Sequence, residues 1–362
     1  MDKPLKVGVV GGLGLMASPM AGHLAEKDVF DVVRVHDRGR SGAARDKRRA
    51  AWKSSGALLV SELEELVGKD SLDGVFVCCG KNGDDAKLIG ALTALLSTQN
   101  NAPFLCHLST VSAGFADAAF KHAASKGIRY ANYPLTGGPI GAEKAKMLIL
   151  ASGSRELYDQ LLPGLRKLGN PRYFGPSPRQ GAEVKLIGHL MVFGGLLGIS
   201  SAVSVHSESF SEGKLGGEEQ TGFFDFLNGG AGHTRQWDMI AHAGIAEERW
   251  EEPFQSKYAV VDALYAAALC VERKVSKIAV QNVMTAAFAF SYVVGEVGIE
   301  LATHAIIREM VAKNAPKLDA FLDSHFDQRA EPREWIRACI ETLPGSIKDV
   351  VALDVSDNSF SQ

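Results

Sequence analysis

The sequence predicts an α/β Rossmann domain, a doubly wound and mostly parallel sheet, followed by an all-α domain. Three observations carry this. Short apolar runs alternate with helix-compatible stretches through the first half, which is the βαβα signature of a parallel sheet covered on both faces. A glycine-rich turn follows the first of these runs. After the Pro/Gly-rich break Gly175–Gly181, strand-length runs give way to long helical patterns.

Strands are expected at Lys6–Val10, Val29–Val35, Gly74–Cys79, Phe104–Leu108 and Arg129–Asn132. Helices are expected between them at Met16–Lys27, Ala43–Trp52, Asp85–Leu96 and Val111–Lys126. A further strand, Met147–Ala151, and a helix, Arg155–Leu168, are expected to extend the same sheet. The dinucleotide-binding type of domain then covers 1–178, a helical substrate and dimerisation domain 179–345, and a tail 346–362. The polar end of that tail, Asp354–Gln362, reads as frayed. In the helical domain the patterns fall at Ala182–Phe210, Tyr258–Arg273, Ile278–His304 and Ile306–Lys313, with Ser211–Gln220 as a surface loop.

Composition narrows the function classes. With 39 Lys and Arg against 42 Asp and Glu, the net charge of −3 offers no large basic surface, so no nucleic-acid partner is expected. Five cysteines without a CxxC pair argue against a disulfide framework or a zinc ribbon, and the ten histidines lack ligand spacing, so no metal is expected. The start MDKPLKVGVV lacks the zones of a signal peptide, and a reducing, cytoplasmic setting is expected. Leu186–Val205 is long and apolar enough to span a bilayer, but it contains His189 and Lys185 stands at its mouth. It is expected to be a buried domain helix, with no membrane partner. Ile278–Val297, with Ala279, Ala286, Ala287 and Ala289, is expected to pack against another subunit in a homodimer.

The first strand feeds Gly12-Leu13-Gly14-Leu15-Met16-Ala17, a GxGxxG/A pattern opening a helix. The first glycine permits a tight turn and the second lets backbone approach a pyrophosphate. A small third residue permits close helix–strand packing, and the helix N-terminus favours the phosphates. Asp37 ends the next strand, where a carboxylate binds the adenosine ribose of NAD; Arg38, Arg40 and Ser41 beside it suit the 2′-phosphate of NADP. The cofactor is therefore NAD or NADP, leaning to NAD because a carboxylate beside a dianionic phosphate is costly. The run Arg45–Arg49 reads as a solvated helix face.

The stretch Gly12-Leu13-Gly14-x-Met16-x-x-Pro19-Met20-Ala21 resembles the N-terminal signature of the β-hydroxyacid dehydrogenases, which include 3-hydroxyisobutyrate dehydrogenase and the glyoxylate/succinic semialdehyde reductases. Three further motifs follow in the family's order: Leu108-Ser109-Thr110-Val111-Ser112, Tyr133-Pro134-Leu135-Thr136-Gly137-Gly138-Pro139, and Gly181 to His189 with Lys185 at its centre. The resemblance covers roughly residues 6–300. It implies a Rossmann domain, a helical domain of the 6-phosphogluconate dehydrogenase type, and Lys185 as the catalytic acid/base. A lysine desolvated toward neutrality can give and take a hydroxyl proton. It implies that Thr136, Gly137 and Gly138 hold a substrate carboxylate, that Ser109 faces substrate, and that Thr110 and the Cys79–Gly80 loop face the cofactor. Helix capping by Ser109 or Thr110 is an equally open reading of those hydroxyls.

Two positions depart from the family. His189 stands where it has a substrate-holding asparagine, one turn from Lys185, and is either a site residue or a core histidine. Val261-Asp262 stands where it has Lys-Asp. The expected activity is hydride transfer between NAD(P) and a small hydroxy acid or semialdehyde. The alternatives are imine reduction on the same scaffold, or an NAD(P)-binding module without turnover.

Overall fold

A computed structural model describes residues 3–68 and 71–360. The chain forms two compact units, Met1–Lys185 together with Ala352–Gln362, and Leu186–Val351. The boundary thus falls at Lys185, seven residues beyond the expected 178.

The first unit runs β1 (Leu5–Val10), α1 (Met20–His23), β2 (Phe30–His36), α2 (Ala43–Ser54), β3 (Leu58–Val60), α3 (Leu63–Val67), β4 (Gly74–Val77), α4 (Asn82–Leu96), β5 (Phe104–His107), α5 (Ala113–Ser125) and β6 (Arg129–Asn132). After these come β7 (Leu135–Thr136), α6 (Gly138–Glu143), β8 (Met147–Ala151), α7 (Arg155–Leu168), β9 (Gly169–Tyr173) and the start of α8 (Gln180–Phe210). Strands β1 to β6 form one parallel sheet in the order β3-β2-β1-β4-β5-β6. The central strands read VGVV, GVFV and FLCH and are buried throughout, as both faces are covered. Phe30, Phe76 and Phe104 stack edge-on across the sheet at 5.1 and 5.5 Å.

Three expectations are corrected here. Met147–Ala151 does not extend the main sheet. Pro134 follows β6, and the chain re-pairs as a separate three-stranded sheet, β7-β8-β9, antiparallel then parallel. The helix expected over Met16–Lys27 is confined to Met20–His23, with turns before it. Pro19 is the cause, because it has no N–H with which to continue a helical ladder from Leu15. Over its described residues the tail is not frayed: 352–360 belong to the first unit, and Phe360 is buried against Phe115 at 5.6 Å and stacked on His122 at 4.9 Å, while 361–362 lie outside the described residues.

In the second unit, the rest of α8 is followed by α9 (Glu218–Asn228), α10 (His242–Glu247), α11 (Ser256–Glu272), α12 (Lys277–Tyr292), α13 (Ile306–Met310), α14 (Ala315–His325), α15 (Pro332–Thr342) and α16 (Gly345–Val351). The long helix expected over Ile278–His304 ends in a π-helical turn, Val293–Val297, and an extended Gly298. Helix α12 is core: Val280, Val283, Met284, Ala286, Ala287 and Ala289 are all buried within the chain, so its small residues serve packing against α11, α14 and α15. Helix α8 is the more exposed of the two long apolar helices, contrary to expectation; its most apolar window is 39% buried against 67% for α12.

Candidate active site

Ligands of open parallel sheets bind at the carboxyl ends of the strands, and the glycine turn, Asp37, the Cys79–Gly80 loop and Ser109-Thr110 follow those ends of β1, β2, β4 and β5. The turn after β1 is shaped by Gly11 as much as by Gly12. Gly11 has φ +79°, and a Cβ on it would lie 2.3 Å from the Cys78 carbonyl oxygen. Gly12 is needed for space instead, since its Cβ would come within 2.6 Å of Val35. Trp52 Nε1–H donates to the Gly12 carbonyl at 2.8 Å, and Arg48 donates to the Leu13 carbonyl at 2.9 Å, so α2 braces the turn from behind. Ala17 is fully buried, as the third position of the pattern requires. At Gly14 a Cβ would meet only the Gly11 carbonyl at 3.1 Å and Cys78 at 3.9 Å. Leu15 is exposed and Met16 partly so, which leaves the outer side of Gly14-Leu15-Met16 open. A braced turn with open backbone on one side fits a pyrophosphate. Those residues would hold it, although α1 is too short and too late to offer a helix N-terminus.

At the end of β2, Asp37 accepts from Arg49 Nε at 2.6 Å and Nη2 at 3.3 Å, and from the Gly39 amide at 3.0 Å. The guanidinium holds its carboxyl below the usual carboxylate range. The run Arg45–Arg49 is therefore not merely solvated: Arg49 and Arg48 both reach back to the candidate cofactor residues. Arg38, Arg40 and Ser41 are exposed beside them.

The loop after β4 turns at Gly80, φ +67°, where a Cβ would sit 2.0 Å from Asp85 Oδ1. Ser109 after β5 is buried. Its hydroxyl accepts from the Cys79 amide at 3.1 Å and donates to the Cys79 carbonyl. Ser109 thus binds the neighbouring loop. It caps no helix, and neither does Thr110: the N-cap of α5 is Ser112, which accepts from the Phe115 amide at 3.1 Å. Asn132, at the end of β6, donates to the carbonyls of His107 and Ser109 at 3.0 and 3.1 Å. Burial lifts the thiol of Cys78 to about 12 and that of Cys79 well above its usual value, so neither is a thiolate at neutral pH.

Thr136 ends β7, and Gly137 and Gly138 follow with φ of +126° and +66°, entering α6. Helix α8 begins against the same edge. A Cβ at Gly181 would lie 2.9 Å from the Asn132 carbonyl oxygen and 2.4 Å from that of Leu150, and its amide donates to Ser152 Oγ at 2.8 Å. Lys185, one turn further on, is 9% exposed.

His189 falls in the second unit. It is buried between the rings of Phe193 and Phe254, and its Nδ1 is 3.5 Å from Asp262 Oδ2. Val261 is fully buried in the core. Asp262 of the departed Lys-Asp pair is thus the partner of the departed asparagine's replacement. Sequence reading missed Arg49, Trp52, Asn132, Asp85 and His107. A single tryptophan on the otherwise charged α2 was a usable signal; the others sit in runs with no motif.

The family described as the NAD binding domain of 6-phosphogluconate dehydrogenase matches residues 6–184. The 2-(hydroxymethyl)glutarate dehydrogenase of Eubacterium barkeri is 25% identical over 196 residues, covering 53% of this chain and 60% of that protein. The chain thus aligns with under two thirds of that relative's length. Among solved structures, 3-hydroxyisobutyrate dehydrogenase from Salmonella typhimurium superposes with a TM-score of 0.70 at 16% identity, covering 84% of this chain and 99% of that one. A variant imine reductase from Myxococcus stipitatus in complex with NAD+ gives 0.50 at 18% identity, covering 85% and 99%. Residues 6–184 thus form an NAD-binding domain of the 6-phosphogluconate dehydrogenase type, and with the glycine turn, the Ser109-Thr110 and Thr136-Gly137-Gly138 segments and the Lys185 helix in the same order, the chain is similar to the β-hydroxyacid dehydrogenases.

Proposed function

We propose that the protein is an NADP-accepting oxidoreductase acting on a small hydroxy acid or semialdehyde, with Lys185 as general acid–base. The observation that carries this reading is convergence on one sheet edge. The braced glycine turn follows β1, the Cys79–Gly80 and Ser109–Thr110 loops follow β4 and β5, and the helix bearing Lys185 starts against the end of β6. A bound nicotinamide supplies or accepts the hydride. Lys185 gives a proton to the carbonyl oxygen in reduction and takes the hydroxyl proton in oxidation. The amides of Gly137 and Gly138 and the Thr136 hydroxyl orient a substrate carboxylate.

NADP is favoured over NAD by the state of Asp37. Three of its roughly four acceptor positions are taken by Arg49 and Gly39. Its charge is offset, which removes the repulsion that argued against a 2′-phosphate, and Arg38 and Arg40 are exposed alongside. The partner we propose is a second copy of the chain, and the compartment a reducing one, in keeping with five free cysteines.

Lys185→Ala is expected to lose roughly 10²–10⁴-fold in kcat while its cofactor dissociation constant stays within about twofold. Turnover at the wild-type rate would overturn the assignment. Imine reduction is the second reading, favoured by the absence of a lysine at Val261, and a panel of semialdehydes and cyclic imines assayed with NADPH separates the two.

A further inference from the structure

Beneath the candidate cofactor edge lies a polar chain that hydride transfer does not use. Asp85, in the first turns of α4, and His107, the last residue of β5, are both completely buried, and Tyr130 of β6 is nearly so. His107 Nε2 is 2.8 Å from Asp85 Oδ2, and His107 Nδ1 is 2.9 Å from the Tyr130 hydroxyl. A neutral imidazole protonated on Nε2 satisfies both contacts, donating to the carboxylate and accepting from the phenol. The other carboxylate oxygen lies directly under the Cys79–Gly80 turn: it is 3.9 Å from Cys79 Sγ, and a Cβ on Gly80 would be driven to 2.0 Å from it. The Ser109 hydroxyl bridges both backbone groups of Cys79 from the β5 side.

Such a chain is a poor source of stability. A buried carboxylate costs several kcal/mol in desolvation, and well-packed apolar residues often do as well or better. What it does supply is direction. It ties the end of β5, strand β6 and the start of α4 to the turn that follows β4.

We propose that Asp85, His107 and Tyr130 are positioning residues that set the Cys79–Gly80 backbone and Ser109 for the dinucleotide. This rests on the reading of the first unit as a cofactor site. The chain acts through the loop and touches neither cofactor nor substrate.

The test measures NADPH and NADH dissociation constants by fluorescence, together with thermal unfolding of the cofactor-free protein. Asp85→Asn and His107→Asn are each expected to weaken NADPH binding by roughly tenfold or more, as loss of a hydrogen bond to a charged group does. Tyr130→Phe, at the far end of the chain, is expected to weaken it by only a fewfold. Ser112→Ala removes the buried cap of α5 from the same region; it is expected to lower the melting temperature and leave NADPH affinity unchanged. A merely structural chain gives the reverse: folded Asp85→Asn and His107→Asn proteins that melt earlier but bind NADPH as wild type does. That result overturns the proposal. Should either variant fail to fold, Tyr130→Phe decides, because wild-type affinity in a destabilised Tyr130→Phe protein also overturns it. Failure of the wild-type protein to bind either nucleotide sinks the cofactor reading itself and is distinguishable from all of these.

Discussion

Arg49 changes what Asp37 can do. A bidentate guanidinium makes the Asp37 carboxylate half of an ion pair, and with its charge offset the exposed Arg38 and Arg40 leave the loop net positive. Arg49→Ala should therefore lower NADP affinity by roughly tenfold while sparing NAD, read as the ratio of the two dissociation constants; an unchanged ratio rules out the pair as the discriminator. The pair also has a pH signature. The Asp37 pKa is depressed in the folded state, so its stabilisation is present above the usual carboxylate value of 3.8 and is lost as pH falls through the lower folded value. At this scale the sequence is legible where a motif dictates the local backbone, as in the glycine turn at Gly12 and Gly14. It is silent where a residue acts across the fold, because nothing in a charged helix run marks which arginine will meet an aspartate twelve positions earlier.

The tail is the element that composition hides. Its polar letters read as frayed, yet Val355 and Phe360 pack into the core beside α4 and α5, and Asn82 donates to the Ala352 carbonyl at 3.0 Å. Gly90 on α4 lies so close that a Cβ there would be 1.9 Å from the Phe360 carbonyl oxygen. Gly90→Ala is expected to expel the tail, and Phe360→Ala to cost about 3 kcal/mol. Urea unfolding and carboxypeptidase release of the last residues measure both; a tail equally protected in Gly90→Ala disproves the contact. Elsewhere, strands β1, β2, β4, β5 and β6 and helix α7 were readable from apolar runs and periodicity. Strands β3 and β7 are two or three residues long, and β9 carries Asn170, Pro171 and Arg172. None of the three has a pattern long enough to register. Helix α1 failed for a local reason, the proline at its start.

At the scale of the whole molecule, the sequence shows two long apolar helices but not which is enclosed, since only tertiary packing distinguishes them. The enclosed one is α12. Helix α8 has no Asp, Glu, Lys or Arg between Lys185 and Glu208, and it exposes Ile187, Met191, Gly194, Gly198, Ser201 and Val205 at alternating spacings of four and three. A groove of about 380 Å³ continues the stripe along Phe210, Phe223 and Leu227. Patches of this kind mark association surfaces, and light scattering is expected to give a dimer that Met191→Lys with Val205→Lys converts to monomer. A monomeric wild type at micromolar concentration refutes it. The returning tail has a consequence of another kind, for synthesis. The first unit receives Phe360 only after all of Leu186–Val351 has been made. At about 5–20 residues per second, its core waits on the order of ten to thirty seconds for its last piece. During that time, the groove between α4 and α5 stands open on the ribosome, and any chain terminated before Ala352 keeps it open permanently.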